Sequence, residues 1–283
     1  MKDMTIQHRI IIPAFALFFA FWVPSLVAQS ATSESAPQIG QVSRDSVWVP
    51  TPERMIRRLL QMADTTRSDL VMDLGSGDGR IPIYAARHFG ARAVGVELEA
   101  NLVRLSVAAA KAQRVDHLAT FVRQDLFAAD LSRATVIALY ISPGVMTRLK
   151  PVLLALAPGT RVVSHQFTLD DWESDEVIRV EGRTGYLWVV PADVRGNWTI
   201  TMPDDELRVS IDQKFQKLVT VGERAGKPVN VIGAQLRGTQ LSFTAFDREG
   251  ASRRFVGRVD GMRAAGTVAG DGGTEQRWTA RRQ

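Results

Sequence analysis

Short apolar runs and amphipathic stretches alternate along residues 46–191, and beyond residue 195 only short alternating segments remain. Apolar runs at 69–74, 93–97, 119–123, 135–139 and 161–165 predict buried strands, and the 3.6-residue spacing of the stretches between them predicts helices over 52–63, 80–89, 100–113 and 144–156. Each connection is long enough for a right-handed crossover, so these five strands are expected to run parallel. Segments 177–180 and 186–190, separated by 181–185, predict a closing hairpin. The first body is therefore an α/β layer structure. From 195 to 283, eight segments (198–201, 207–211, 218–221, 229–232, 241–246, 255–259, 262–268 and 276–280) carry β-branched or alternating residues between Gly and Asp turns. They predict a small all-β meander barrel or sandwich that acts as a lid, a substrate platform or a stabilising module. Its glycines at 233, 238, 250, 257 and 261 are expected to serve turns and close packing.

Ahead of both bodies, residues 10–28 are almost unbroken apolar sequence, preceded by Lys2 and Arg9 and followed by the polar stretch 29–41. That layout predicts an export signal over 1–28 with Ala28 as a possible cleavage point, and a linker over 29–45. Leu26 is bulkier than the small residue such a site prefers, and the run is nearly long enough to cross a bilayer, so an uncleaved anchor is the alternative. The expected location is accordingly periplasmic or extracytoplasmic, or anchored in an inner membrane.

The 283 residues include no cysteine, which excludes disulfides and thiolate metal sites, and four histidines without metal-ligand spacing predict no metal. A net charge of +5 is compatible with an acidic partner or an anionic membrane surface. The basic residues are dispersed and never interleave with aromatics, so no nucleic-acid partner is expected.

The candidate chemistry lies at Val71-Met72-Asp73-Leu74-Gly75-Ser76-Gly77-Asp78-Gly79-Arg80, followed by Gly95-Val96-Glu97. Gly75, Gly77 and Gly79 let the chain turn sharply after a strand and approach a ligand that any Cβ would push away. A dinucleotide fingerprint needs its third glycine where Arg80 stands, and Asp73 and Asp78 would repel a pyrophosphate. S-adenosylmethionine carries a sulfonium and an ammonium instead, so the acids suit it. Glu97, ending the next strand, is placed to accept both ribose hydroxyls. Asp125 follows the third strand and is placed to accept the adenine amine, with a turn or cap role as its alternative. Leu126 or Phe127 would cover the adenine face. Tyr140 and Ser142 follow the fourth strand, at the edge where open sheets bind ligands, and Pro143 is a helix starter. His165 and Asp170 follow the fifth strand. His165 is the candidate proton acceptor, with a purely structural histidine as the equal alternative.

Trp48-Val49-Pro50-Thr51-Pro52, the Asp73–Arg80 loop, Gly95-Val96-Glu97-Leu98, Gln124-Asp125-Leu126-Phe127, Leu139-Tyr140-Ile141-Ser142-Pro143 and Arg161-Val162-Val163-Ser164-His165-Gln166-Phe167 with Trp172 together carry a resemblance over residues 45–175. They resemble the seven-strand protein-lysine methyltransferases that modify the mitochondrial ATP synthase and the adenine nucleotide translocase, and their bacterial relatives. The resemblance implies a class I, Rossmann-like seven-strand methyltransferase sheet over 46–191, followed by the all-β domain at 195–283. It implies S-adenosylmethionine as cofactor and S-adenosylhomocysteine as product. It also implies cofactor contacts at the Asp73 loop, Glu97 and Asp125, beside which Thr51 is a further candidate contact, and a protein lysine, on a substrate that is membrane-associated in the mitochondrial relatives, as acceptor. Tyr140 and His165, from their places at strand ends, are the candidate catalytic residues. The all-β body and the leader depart from the mitochondrial enzymes and leave the substrate open. A small molecule or lipid headgroup as acceptor, and a non-catalytic exported relic that binds a partner, are the alternatives.

Overall fold

The computed structural model describes Met1 and residues 49–203, 205–246, 250–270 and 275–283. The expected signal or anchor over 1–28 and linker over 29–45 lie outside them. Among the described residues no helix is long and apolar enough to cross a membrane.

The first body runs α1 (Glu53–Met62), β1 (Leu70–Leu74), α2 (Arg80–Phe89), β2 (Arg92–Glu97), α3 (Ala100–Ala112), β3 (Ala119–Arg123), a 3-10 turn at Leu126–Ala128, β4 (Val136–Leu139), α4 (Pro143–Leu154), β5 (Arg161–His165), β6 (Glu176–Val180) and β7 (Arg183–Val189). Its seven strands are ordered β3-β2-β1-β4-β5-β7-β6. Strands β1 to β5 pair in parallel, and β7 pairs antiparallel with both β5 and β6. The β6–β7 turn is tighter than the five-residue connection expected. Glu181 and Gly182 at φ 51° and 78° make a two-residue turn of the twist that suits adjacent strands, so Arg183–Gly185 join β7.

Alternate sheet residues feed two cores. Val71, Ala93, Val136 and Val163 meet α1 and α2, whereas Met72, Leu74, Ile137, Leu139 and Val162 meet α4, Trp172 and Trp188. Pro143 occupies the first turn of α4, where its missing N–H costs nothing, so the helix starts one residue earlier than the Gly144 expectation. At the amino edge, Arg161 bonds Asp69, the Thr135 carbonyl and the Ala63 carbonyl at 2.5 to 3.2 Å, which fixes β1, β4 and β5 in mutual register. The carboxyl edge of the same strands is left free for ligand.

The second body is the meander barrel, not the sandwich. Strands β8 (Gly196–Thr201), β9 (Glu206–Lys214), β10 (Lys217–Arg224), β11 (Lys227–Arg237), β12 (Gln240–Phe246), β13 (Ser252–Asp260), β14 (Arg263–Gly270) and β15 (Glu275–Arg282) each pair antiparallel with the next, and β15 closes on β8. Inward residues such as Trp198, Leu207, Phe243, Phe255 and Trp278 fill it, so the lumen is a core of its own. Phe243 and Phe255, paired across β12 and β13, stack at 4.7 Å. A Cβ at Gly257 would stand 2.4 Å from the Trp278 ring, which shows why glycine is needed there.

Candidate active site

The carboxyl ends of β1, β2 and β4 open onto a cavity of about 1070 Å³, its mouth included. Asp73, Gly75, Gly77, Asp78, Glu97, Asp125, Leu126, Thr51 and Tyr140 all line it. The strand-end residues among them converge because β1, β2 and β3 are neighbours and each ends at the same edge.

Gly79, Ser142, His165 and Asp170, all singled out in the sequence, do not line the cavity. Gly79 lies behind the loop at φ 76°, where a Cβ would meet Phe121 at 2.6 Å and Ser106 at 2.7 Å. Its requirement is a left-handed turn into α2 packed tightly on β3, not a ligand contact. His165 is 1% exposed beneath Tyr140, their ring centroids 4.1 Å apart, and its Nδ1 lies 3.2 Å from Thr51 Oγ1. Burial, with the Arg183 charge nearby, lowers its pKa from 6.5 to about 4. A lowered pKa makes the ring a weak base, and its place behind Tyr140 and off the cavity wall fits the structural alternative, in which it positions Thr51 and Tyr140.

The carboxylates divide by partner. Asp78 is held by Arg80 Nε and Nη2 at 2.5 to 3.1 Å, so its charge is matched within the chain. Asp125 is exposed, lines the cavity and accepts the Phe127 N–H at 2.9 Å, which is the turn-capping alternative. Glu97 accepts the Gly77 N–H at 2.8 Å and the Glu99 N–H at 2.9 Å, one on each oxygen, leaving a further lone pair on each. Asp73 is different: it is 3% exposed, and among the described residues no donor lies within hydrogen-bonding distance of its carboxylate. Burial first, then repulsion from Glu97 and Asp78, raises its pKa well above the ordinary value. A carboxyl in this position is favoured in its charged form only by a cation or donor placed beside it.

These residues fit S-adenosylmethionine. The glycine backbone would admit its close approach, Glu97 would offer two acceptors to a diol, Asp73 a carboxyl to its positive charges, and Leu126 an apolar face. Three contributors escaped the sequence reading. Arg80 also donates to the Thr51 carbonyl at 3.1 Å and so ties the segment before α1 to the glycine loop. Ser106 Oγ donates to the Gly77 carbonyl at 3.1 Å, and Phe121 fills the space that Gly79 and Gly95 leave. Their only sequence signal was a polar residue on an apolar helix face, an aromatic in a short strand and a cation after a glycine loop.

Residues 73–176 match the ANTKMT methyltransferase domain. A protein-lysine N-methyltransferase of Saccharolobus islandicus is 43% identical over 149 residues, which are 50% of this chain and 92% of the relative. The adenine nucleotide translocase lysine N-methyltransferase of Mus musculus is 34% identical over 152 residues, 53% of this chain and 64% of that protein. Among solved structures, an RNA methyltransferase from Salinibacter ruber in complex with S-adenosyl-L-homocysteine is 46% identical, with a TM-score of 0.51, covering 52% of this chain and 96% of the other. The ANTKMT match ends at 176, ahead of the barrel's first residue at 196. With nearly the whole Saccharolobus islandicus relative covered, and with a carboxylate-lined glycine-loop cavity on the seven-strand sheet, the chain belongs to this family of class I S-adenosylmethionine-dependent methyltransferases.

Proposed function

We propose that the protein transfers a methyl group from S-adenosylmethionine to a lysine nitrogen of a protein substrate. The carrying observation for the transfer chemistry is Asp73, a buried acid without a donor facing a cavity that Glu97 also lines. The lysine acceptor is supported by the relatives' activities. When bound, the cofactor supplies a methyl group activated by its sulfonium, which an amine can take by in-line displacement. Asp73 and Glu97 would hold its positive and hydroxylated parts, and the glycine loop would let it approach the backbone closely. Val49, Pro50, Ile141 and Val145 make an apolar wall beside Tyr140. An ammonium entering such a wall loses hydration and its pKa falls, which favours the neutral, nucleophilic amine. His165 stays neutral and keeps Tyr140 and Thr51 in place; the proton leaves to water.

Incubating the protein with methyl-labelled S-adenosylmethionine and envelope or soluble cell fractions, then digesting with protease or ribonuclease, tests this reading. Label that follows peptides with a lysine mass shift supports it; label lost only to ribonuclease refutes it. The second outcome is a specific rival, because the Salinibacter ruber relative is an RNA methyltransferase. Against it stand the dispersed basic residues of this chain. An extracytoplasmic site of action belongs to the same proposal and is supported by Lys2 and Arg9 ahead of the apolar run 10–28. N-terminal sequencing of the native protein tests it: a start at or near Gln29 supports cleavage, and an intact Met1 in a salt-resistant membrane fraction supports the anchor instead.

A further inference from the structure

The loop between β5 and β6, residues 166–175, leaves the carboxyl end of β5 beside Tyr140 on the cavity wall. The cofactor-fitting residues Asp73, Glu97 and Asp125 stand at the carboxyl ends of β1 and β2 and just after β3, so the β4 and β5 side of the edge is what remains for an acceptor. The loop touches that side directly: Phe167 stacks on Tyr140 with centroids 6.1 Å apart, and Ser164 Oγ donates to the Phe167 carbonyl at 2.8 Å.

This loop is not self-supporting. Gln166 and Asp170 sit at φ 75° and 51°, left-handed conformations that cost a residue such as Gln166 backbone strain. From within, Trp188 Nε1 donates to the Trp172 carbonyl at 2.7 Å, and Thr147 Oγ1 donates to Asp170 at 2.9 Å. From outside, the support comes from the barrel. The β9–β10 turn stacks Phe215 on Trp172 at 6.1 Å and 29°. Gln216 in the same turn accepts the Trp172 indole N–H at 3.1 Å and donates its amide to the Glu173 carbonyl at 2.7 Å. Lys214 and Lys217 flank them, paired with Asp171 at 3.1 Å and Glu173 at 2.6 Å. Four consecutive barrel residues thus grip three consecutive loop residues, and Trp172 is left only 1% exposed.

We propose that the barrel's β9–β10 turn, through Phe215 and Gln216, is the positioning element of the acceptor side of the methyltransferase site. This rests on the methyl-transfer reading. The chain of contact runs from Phe215 through Trp172 and the loop to Phe167 and Tyr140. It bypasses Asp73, Gly77 and Glu97, so loosening the turn should leave cofactor affinity alone while impairing transfer. The barrel thereby completes a site whose family-matched part ends at residue 176.

The test uses the full chain with Phe215→Ala, Gln216→Ala and Phe215→Tyr. S-adenosylhomocysteine affinity is measured by calorimetry, amide hydrogen exchange is followed in 167–175, and label incorporation from S-adenosylmethionine is measured with the cell fractions above. Expected for the two alanine variants are S-adenosylhomocysteine affinity within twofold of the parent, exchange in 167–175 at least tenfold faster and incorporation at least tenfold lower. Phe215→Tyr should restore all three to within twofold. Because Gln216→Ala keeps the apolar contact, it preserves the test should Phe215→Ala fail to fold. Exchange unchanged in both alanine variants overturns the proposal, as does a loosened loop with incorporation within twofold of the parent. Absence of labelling by the parent chain would count against the transfer reading itself. In that event the exchange and S-adenosylhomocysteine arms still decide the brace, supporting it if only the loop loosens and overturning it if the loop does not.

Discussion

Replacing Glu97 separates binding from loop architecture, because its carboxylate serves both. Two of its lone pairs already accept the Gly77 and Glu99 N–H groups at 2.8 and 2.9 Å, and one remains on each oxygen for a ligand hydroxyl. Two bonds to a charged acceptor are worth about 1.5 to 3 kcal/mol each, and the water that takes the acid's place in Glu97→Ala recovers part of that. The expected affinity loss is about 2 to 4 kcal/mol, or roughly 30- to 900-fold in Kd for S-adenosylhomocysteine. The apo protein should lose stability as well, up to about 1 to 3 kcal/mol for each N–H left without a partner. Relief of the repulsion between Glu97 and Asp73 offsets part of this loss. Glu97→Gln should be nearly as harmful as Ala, since its single amide nitrogen must point at one of the two N–H donors. Calorimetric titration with S-adenosylhomocysteine beside thermal denaturation of the apo protein distinguishes the two effects. A Glu97→Ala protein with a lowered Tm that still binds within threefold of the parent would refute the ligand role and leave Glu97 as a loop brace only.

Asp73 has a raised folded pKa, so the apo protein should lose stability as pH rises from the ordinary carboxylate range through that raised value, and a cationic ligand should reverse the loss. The gain in Tm from S-adenosylmethionine over S-adenosylhomocysteine should therefore grow with pH and vanish in Asp73→Asn; a variant that keeps the pH-dependent gain would remove Asp73 from the cation site. His165, lowered from 6.5 to about 4, stabilises the neutral form, so on the order of 3 kcal/mol of stability should be lost as pH falls from above 6.5 through 4. Denaturant titrations across that range should show the slope reduced in His165→Gln, and an unchanged slope would contradict the assignment. Phe255→Ala in the barrel should cost about 3 to 5 kcal/mol, because the ring is fully buried between Phe243 and Trp278. S-adenosylhomocysteine affinity measured where the variant is folded should stay within threefold, and a parallel loss would mean that the two bodies share one core.

By itself the sequence determined what depends on near neighbours along the chain. The apolar runs and their period placed the strands and helices, and the Asp73–Arg80 spacing with Glu97 placed the cofactor loop. Parallel strands end at one edge, so residues at those ends converge whatever the details of packing. The alternation after residue 195 likewise announced eight strands. Tertiary structure alone decided the contacts between distant segments. Insertion of β7 between β5 and β6 and closure of β15 on β8 are pairings across the chain that local pattern does not encode. Gly79 has the same local signature as its loop neighbours, and only Phe121 packed beneath it shows that it serves the fold. His165 could be placed at a strand end, but its burial under Tyr140, which sets its charge, depends on what packs above it. The grip of Phe215 and Gln216 on Trp172 joins residues more than forty apart, between two bodies that each carry their own pattern. Periodicity describes which face of an element is apolar; which other element covers that face is settled only when the whole chain competes for the same buried space.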